Sequence, residues 1–192
     1  GEAHISDRIG IGTTSPTAPL HIFQDNANTA IAPTAGILIE QDGTGDAVLQ
    51  FLLTGTKRWI AGIDNSDSDK FKIVHGVSDL NDASVFTIDT DSNVGIGTTS
   101  PSDYDVSNNN LVVYGSGHSG ITIASGTSNT GGLMFADGTS GVETYRGYIS
   151  YNHSSDHLTL GASSSPIAYF KSGKVGIGTS SPEVALDVVG DV

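Results

Sequence analysis

The sequence predicts an all-β fold built from tandem modules, and three observations carry that expectation. The octapeptide Val94-Gly95-Ile96-Gly97-Thr98-Thr99-Ser100-Pro101 has related copies beginning at Ile9 and Val175, so the starts lie 85 and 81 residues apart. Recurrence at such a period marks a modular array. Between the copies, short runs alternate apolar residues with others, the pattern of strands that bury one face. Their connections are turn-rich, as in Asp42-Gly43-Thr44-Gly45 and Asp91-Ser92-Asn93, and no stretch carries a convincing helical period. Leu80 to Ser84 supplies one helical turn at most.

Each element follows in order. In the octapeptide, Val or Ile alternates with Gly, which gives a strand with one branched face and one bare face. Glycine inside a strand usually marks the close approach of another backbone. Gly10, Gly12, Gly95, Gly97, Gly176 and Gly178 are therefore expected to line an axis where strands of several copies crowd. The Thr-Thr-Ser-Pro tail stops the strand, because Pro fixes its own φ and the hydroxyls bond to neighbouring backbone. A short strand follows each corner: Leu20-His21-Ile22-Phe23, Leu111-Val112-Val113-Tyr114 and Leu186-Asp187-Val188-Val189. In the middle copy Ser102 to Asn110 is inserted before it.

The repeat continues beyond the octapeptide. Ala35-Gly36-Ile37-Leu38-Ile39 and Leu49-Gln50-Phe51 fall on Ser119-Gly120-Ile121-Thr122-Ile123 and Leu133-Met134-Phe135 at an offset of 84. Asn65 to Ile73 falls on Asn152 to Leu160 at an offset of 87. All are predicted strands, as are Arg58 to Ile63, Tyr145 to Ile149, Phe86 to Ile88 and Ala168 to Phe170. The resulting parse is a lead-in at 1–8, one β module at 9–93, a second at 94–174 and the opening strands of a third at 175–192. A module of ~80 residues with thin apolar content buries little alone, so stacking or wrapping with other copies is expected.

The chain has 192 residues, with 21 Asp and Glu against 8 Lys and Arg and a formal net charge of −13. That balance argues against nucleic acid and anionic membrane as partners. No run of ~18 apolar residues suggests membrane insertion. Cys is absent, which removes disulfides, thiolate nucleophiles and Cys-based zinc sites. With no initiator Met and no signal-peptide pattern, the chain reads as a fragment of a longer one.

The run Asp89 to Pro101, followed by strands such as Leu186-Asp187-Val188-Val189-Gly190, resembles the repeat of bacteriophage tail fibre and tailspike proteins, over nearly the whole chain. The resemblance implies a β-rich, intertwined parallel homotrimer in the tail fibre of a virion, outside the cell. Its partners would be further copies of itself, other tail proteins and a host surface glycan or protein. It also implies a segment upstream of a cleaved intramolecular chaperone; no enzymatic activity and no cofactor are expected. Similar repeats occur in bacterial trimeric surface fibres, and a polysaccharide-depolymerising tailspike is the enzymatic alternative.

Motifs that suggest chemistry have simpler readings. Gly-Ile-Gly-Thr lacks the helix and the Lys of a phosphate loop. Asp89-Thr90-Asp91-Ser92-Asn93 has alternating oxygen ligands but not the Gly and the acid that complete a calcium loop. Asp64 to Asp69 could hold a weakly bound cation but reads as an Asx-type turn. His153-Ser154-Ser155-Asp156-His157 has triad residue types, which neighbours on one turn cannot orient. No catalytic or metal residue is assigned. Strand alternation places Tyr145, Gly147, Ile149 and Tyr151 on one face and Arg146, Tyr148 and Ser150 on the other. Arg146 and Tyr148 are the candidate ligand contacts, with the loops Val74 to Val85 and Ser102 to Asn110 as further binding regions.

Overall fold

The computed structural model describes residues 7–23, 37–55, 57–76, 79–81 and 84–190. Most of the lead-in, Ala35, Gly36, parts of the Val74 to Val85 loop and of the Leu80 to Ser84 turn, and the last two residues lie outside them. The described residues form strands and short 3-10 segments, with no α-helix. The fold is all-β. Two compact units are present, Gly1–Ser119 and Gly120–Val192.

In the first unit, β1 (Ile9–Ile11) and β2 (Leu20–Ile22) form a parallel pair. A six-stranded sheet then runs in chain order through β3 (Ala47–Leu53), β4 (Lys57–Asp64), β5 (Lys70–His75), β6 (Ser84–Ile88), β7 (Val94–Ile96) and β8 (Leu111–Val113). The second unit repeats it with β9 (Thr130–Phe135), β10 (Gly147–Asn152), β11 (His157–Ala162), β12 (Ser165–Lys171), β13 (Lys174–Ile177) and β14 (Leu186–Val188). Every pairing in both sheets is antiparallel except the last, which is parallel.

The second and third octapeptides thus supply the fifth strand of a sheet, where the sequence parse at 94 and 175 has them opening a module. The pairing partners of Val94–Ile96 lie on both sides of it in sequence. A second correction concerns Ile37–Ile39 and Ile121–Ile123, which belong to no strand. Ile37 and Ile121 are 69% and 66% exposed. Their alternation is that of a strand, and among the described residues none pairs with them.

Directly opposed residues share a sheet face, and the registers line up two apolar rows across the whole first sheet. One runs Ala47, Ile63, Phe71, Ile88, Val94, Leu111, and the next runs Leu49, Ala61, Ile73, Phe86, Ile96, Val113. In the second sheet the matching rows are Gly131, Tyr151, Leu158, Phe170, Val175, Leu186 and Leu133, Ile149, Leu160, Ala168, Ile177, Val188. Yet Leu49, Ile63 and Leu111 are 48%, 47% and 55% exposed, and Leu133, Phe170 and Leu186 are 50%, 40% and 61%. Fully burying one such side chain contributes about 1.5–3 kcal/mol, so each isolated sheet leaves a large share of this stabilisation unrealised.

The opposite face of the first sheet holds its buried core of Ile60, Val74 and Leu80, with Val48 packed against it. Leu80 comes from the loop after β5, and Asn81 beside it donates to the Ser66 hydroxyl at 2.7 Å.

Candidate interaction surfaces

The corner motif has the same geometry three times. After the strand the chain turns at once and returns to pair in parallel, through residues 12–19, 97–110 and 178–185. Parallel neighbours usually need a crossover of about a dozen residues or more; these strands are only three or four residues long, so the outer copies return in less. The Thr hydroxyl fixes the turn by accepting the N–H of the Ser two residues on: Thr13 from Ser15 at 3.1 Å, Thr98 from Ser100 at 3.1 Å and Thr179 from Ser181 at 3.2 Å. The expected role of the hydroxyls is borne out.

The six glycines are accounted for within one chain. A Cβ on Gly95 would sit 2.6 Å from the Thr98 carbonyl oxygen, and Gly10 and Gly176 meet the equivalent carbonyls of Thr13 and Thr179. Gly97 has φ +77° and a Cβ there would overlap the Tyr114 carbonyl oxygen; Gly178 and Gly12 stand likewise against Val189 and Phe23. The backbone that comes close is therefore the chain's own. Gly95 pairs with Thr87 and Val112 on the face opposite the apolar rows. Thr98 and Pro101 cover it, so that face is not left bare for other copies. The surface left exposed is the apolar one, which sequence reasoning missed.

The turn at Asp64 to Asp69 encloses a cation of its own. Asp64 caps it, accepting at Oδ1 from the Ser66 N–H and hydroxyl and from the Asp67 N–H. Lys72, 1% exposed, donates to Asp64 Oδ2 at 2.7 Å and pairs with Asp67 at 2.5 Å. Burial would push both carboxyls up, but hydrogen bonds from Lys72 and its neighbours outweigh it and hold them below the ordinary value. Burial likewise opposes the Lys72 charge, and the two carboxylates outweigh it and raise its pKa. The second unit makes the turn around an uncharged cap: Asn152 Oδ1 accepts from the Ser154 N–H and hydroxyl and the Ser155 N–H, and Thr159 occupies the place of Lys72 opposite Ser150.

Tyr148 lies in a cleft of about 340 Å³ lined by Thr130, Met134, Thr144, Tyr145, Tyr148 and Ser150. Tyr145 closes a 3-10 segment, Gly141–Tyr145, and does not continue the strand. It consequently joins Tyr148 and Ser150, where alternation had placed it with Ile149 and Tyr151. The segment is tied down by the Ser164 N–H to the Arg146 carbonyl and by the Ser164 hydroxyl to the Val142 carbonyl, both at 3.0 Å. Arg146 lies outside the lining and pairs with Asp137 at 3.3 Å on the surface, which contributes little. Burial and then the neighbouring phenols of Tyr169 and Tyr145 raise the Tyr148 pKa.

The remaining candidates resolve into local contacts. Asp89 accepts from the N–H groups of Asp91 and Asn93 and from the Asn93 side chain. Ser154 is engaged with Asn152, Asp156 accepts from the Tyr151 hydroxyl, and His153 and His157 pack separately on Tyr151 and Tyr169. Among the described residues no group of three or more His, Cys, Asp or Glu is placed to hold a metal ion. Compared with known proteins, the chain matches no family model and no curated sequence.

Proposed function

We propose that this chain is a shaft or attachment segment of a homotrimeric fibre of the viral tail-fibre kind, which joins a particle to a host surface and carries out no reaction. The observation behind the reading is the unbroken apolar face on both sheets, a patch of the sort that marks association surfaces. Like faces turned toward one another would bury it, and the unpaired stretches Ile37–Ile39 and Ile121–Ile123 would find partner strands in neighbouring copies. Trp59 is the sole tryptophan. It is opposed to Phe51 on the apolar face and 43% exposed.

Sedimentation equilibrium combined with Trp59 emission tests this. The expected result is a mass three times that of the chain with blue-shifted emission, and Phe71→Asp should give a lower mass with red-shifted emission. A folded monomer across the whole concentration range would overturn the proposal. Incubation with host capsule should release no new reducing ends; their release would favour the depolymerase alternative.

A further inference from the structure

We propose that the cleft between Tyr145 and Tyr148 binds a neutral sugar ring. The two units share a sheet plan, and in the first the same region is a smaller pocket of about 160 Å³ under Leu80, with Asp46 and Asp79 in its lining. There Ile60 and Val74 are opposed on neighbouring strands, and Leu80 closes over them. In the second unit the register puts Tyr148 and Gly161 in those two places. The loop that carries Leu80 is replaced by a tight turn at Ser163 and Ser164, both with positive φ, as in a two-residue hairpin. That turn carries no residue equivalent to Leu80. The Tyr148 ring occupies the space a Cβ on Gly161 would need, so the glycine seats the ring. Where the first sheet's hairpin simply continues through Leu53 and Lys57, the second opens into the 3-10 segment that brings Tyr145 to the cleft.

The lining specifies the ligand. Two phenol rings give amphipathic stacking surface, Met134 adds an adaptable apolar wall, and Thr130, Thr144 and Ser150 offer hydroxyls that both donate and accept. No Asp, Glu, Lys, Arg or His lines it, and burial raises the pKa of the Tyr148 phenol. The chain's net charge of −13 further disfavours an anion. A pyranose, with apolar C–H faces and a hydroxyl rim, matches this chemistry, and the volume is at the low end of small-molecule sites, about 300–1,000 Å³. The cleft faces away from the apolar rows, so self-association through those rows leaves it open. Its biological role rests on the attachment reading, but one chain builds it.

Met134 is the sole methionine, so its methyl resonance reports on the cleft alone. The full chain, labelled at this methyl, would be titrated with the methyl glycosides of glucose, galactose, mannose and N-acetylglucosamine, with sialic acid as the charged control. The expected result is a saturable shift with at least one neutral glycoside, weakened about tenfold in Tyr145→Ala. Tyr145→Ala removes a ring at the surface and should leave sedimentation and Trp59 emission unchanged; Tyr148→Ile, which restores the first unit's residue, should also abolish binding. Absence of a saturable shift with every neutral glycoside, a response to sialic acid alone, or undiminished binding in Tyr145→Ala would each overturn the proposal. A trimer that binds no sugar removes the site and keeps the fibre; a monomer that binds sugar does the reverse.

Discussion

The two six-stranded sheets agree on one face and differ on the other. Across their apolar rows nearly every place is held by a hydrophobic residue in both, down to Val94 against Val175 and Leu111 against Leu186. On the opposite face a charged and lidded core in the first unit faces an uncharged, open cleft in the second. In the proposed fibre, a face that meets copies of itself is held to one chemistry, whereas the opposite face only has to satisfy its own polar groups. It can do so with an ion pair or with an amide and a hydroxyl.

The strongest way to break the shared part is at the corner. Gly97→Val combines an unfavourable positive φ, about 1–3 kcal/mol by itself, with overlap onto the Tyr114 carbonyl. It should abolish hydrogen-exchange protection in β7 and β8 while leaving β13 and β14 protected, and Gly178→Val should do the reverse. Loss of oligomer with both strand pairs still protected would show that the glycines act between chains after all.

The difference between the sheets can be sharpened at Lys72. Lys72→Ala strands the fully buried Asp64 carboxylate and should cost about 3–5 kcal/mol in urea unfolding followed by Trp59. Converting the whole turn to the second unit's set, with Asp64→Asn, Asp67→Ser and Lys72→Thr together, should return stability to within about 1 kcal/mol of the parent, since uncharged replacements of buried ion pairs are often neutral. A triple variant as unstable as Lys72→Ala would mean that the two turns are not interchangeable.

The smallest effect concerns pH. Asp64 and Asp67 have lowered pKa values in the fold, so their contribution is complete above the ordinary carboxylate value near 3.9 and fades as pH falls through the lower folded values. The Lys72 pKa is raised, so its contribution is complete below about 10.4 and fades only above it. Urea midpoints read from Trp59 should be flat between about pH 5 and 9 and drop at both ends. In the triple variant this turn should add nothing to either drop.

Much of this was legible in the sequence. Period-2 alternation located Leu49–Phe51, Phe71–Ile73 and Phe86–Ile88, and the Thr-Thr-Ser-Pro corner was read with its hydroxyl bonds. Even the cleft left a trace: the repeat offset rises from 84 at Leu49 to 87 at Asn65 and falls to 82 at Phe86, which marks the 3-10 segment gained and the Leu80 loop lost. Alternation also says that a run has an apolar side, but not whether its own chain supplies a partner, and so Ile37–Ile39 and Ile121–Ile123 looked like strands. The glycines misled for a related reason. A bare position signals a close backbone, and only the return path of the chain shows that Tyr114 and Val189 provide it. Lys72 gave no signal, because eight residues separate it from Asp64 and register alone brings them together.

The single parallel step at the end of each sheet has a directional consequence. Six strands joined only by hairpins would bring the chain back to the end at which it entered. With the final pair parallel, it enters β3 and leaves β8 heading the same way, as it does from β9 to β14. Each sheet therefore passes its own chain from one end to the other instead of returning it.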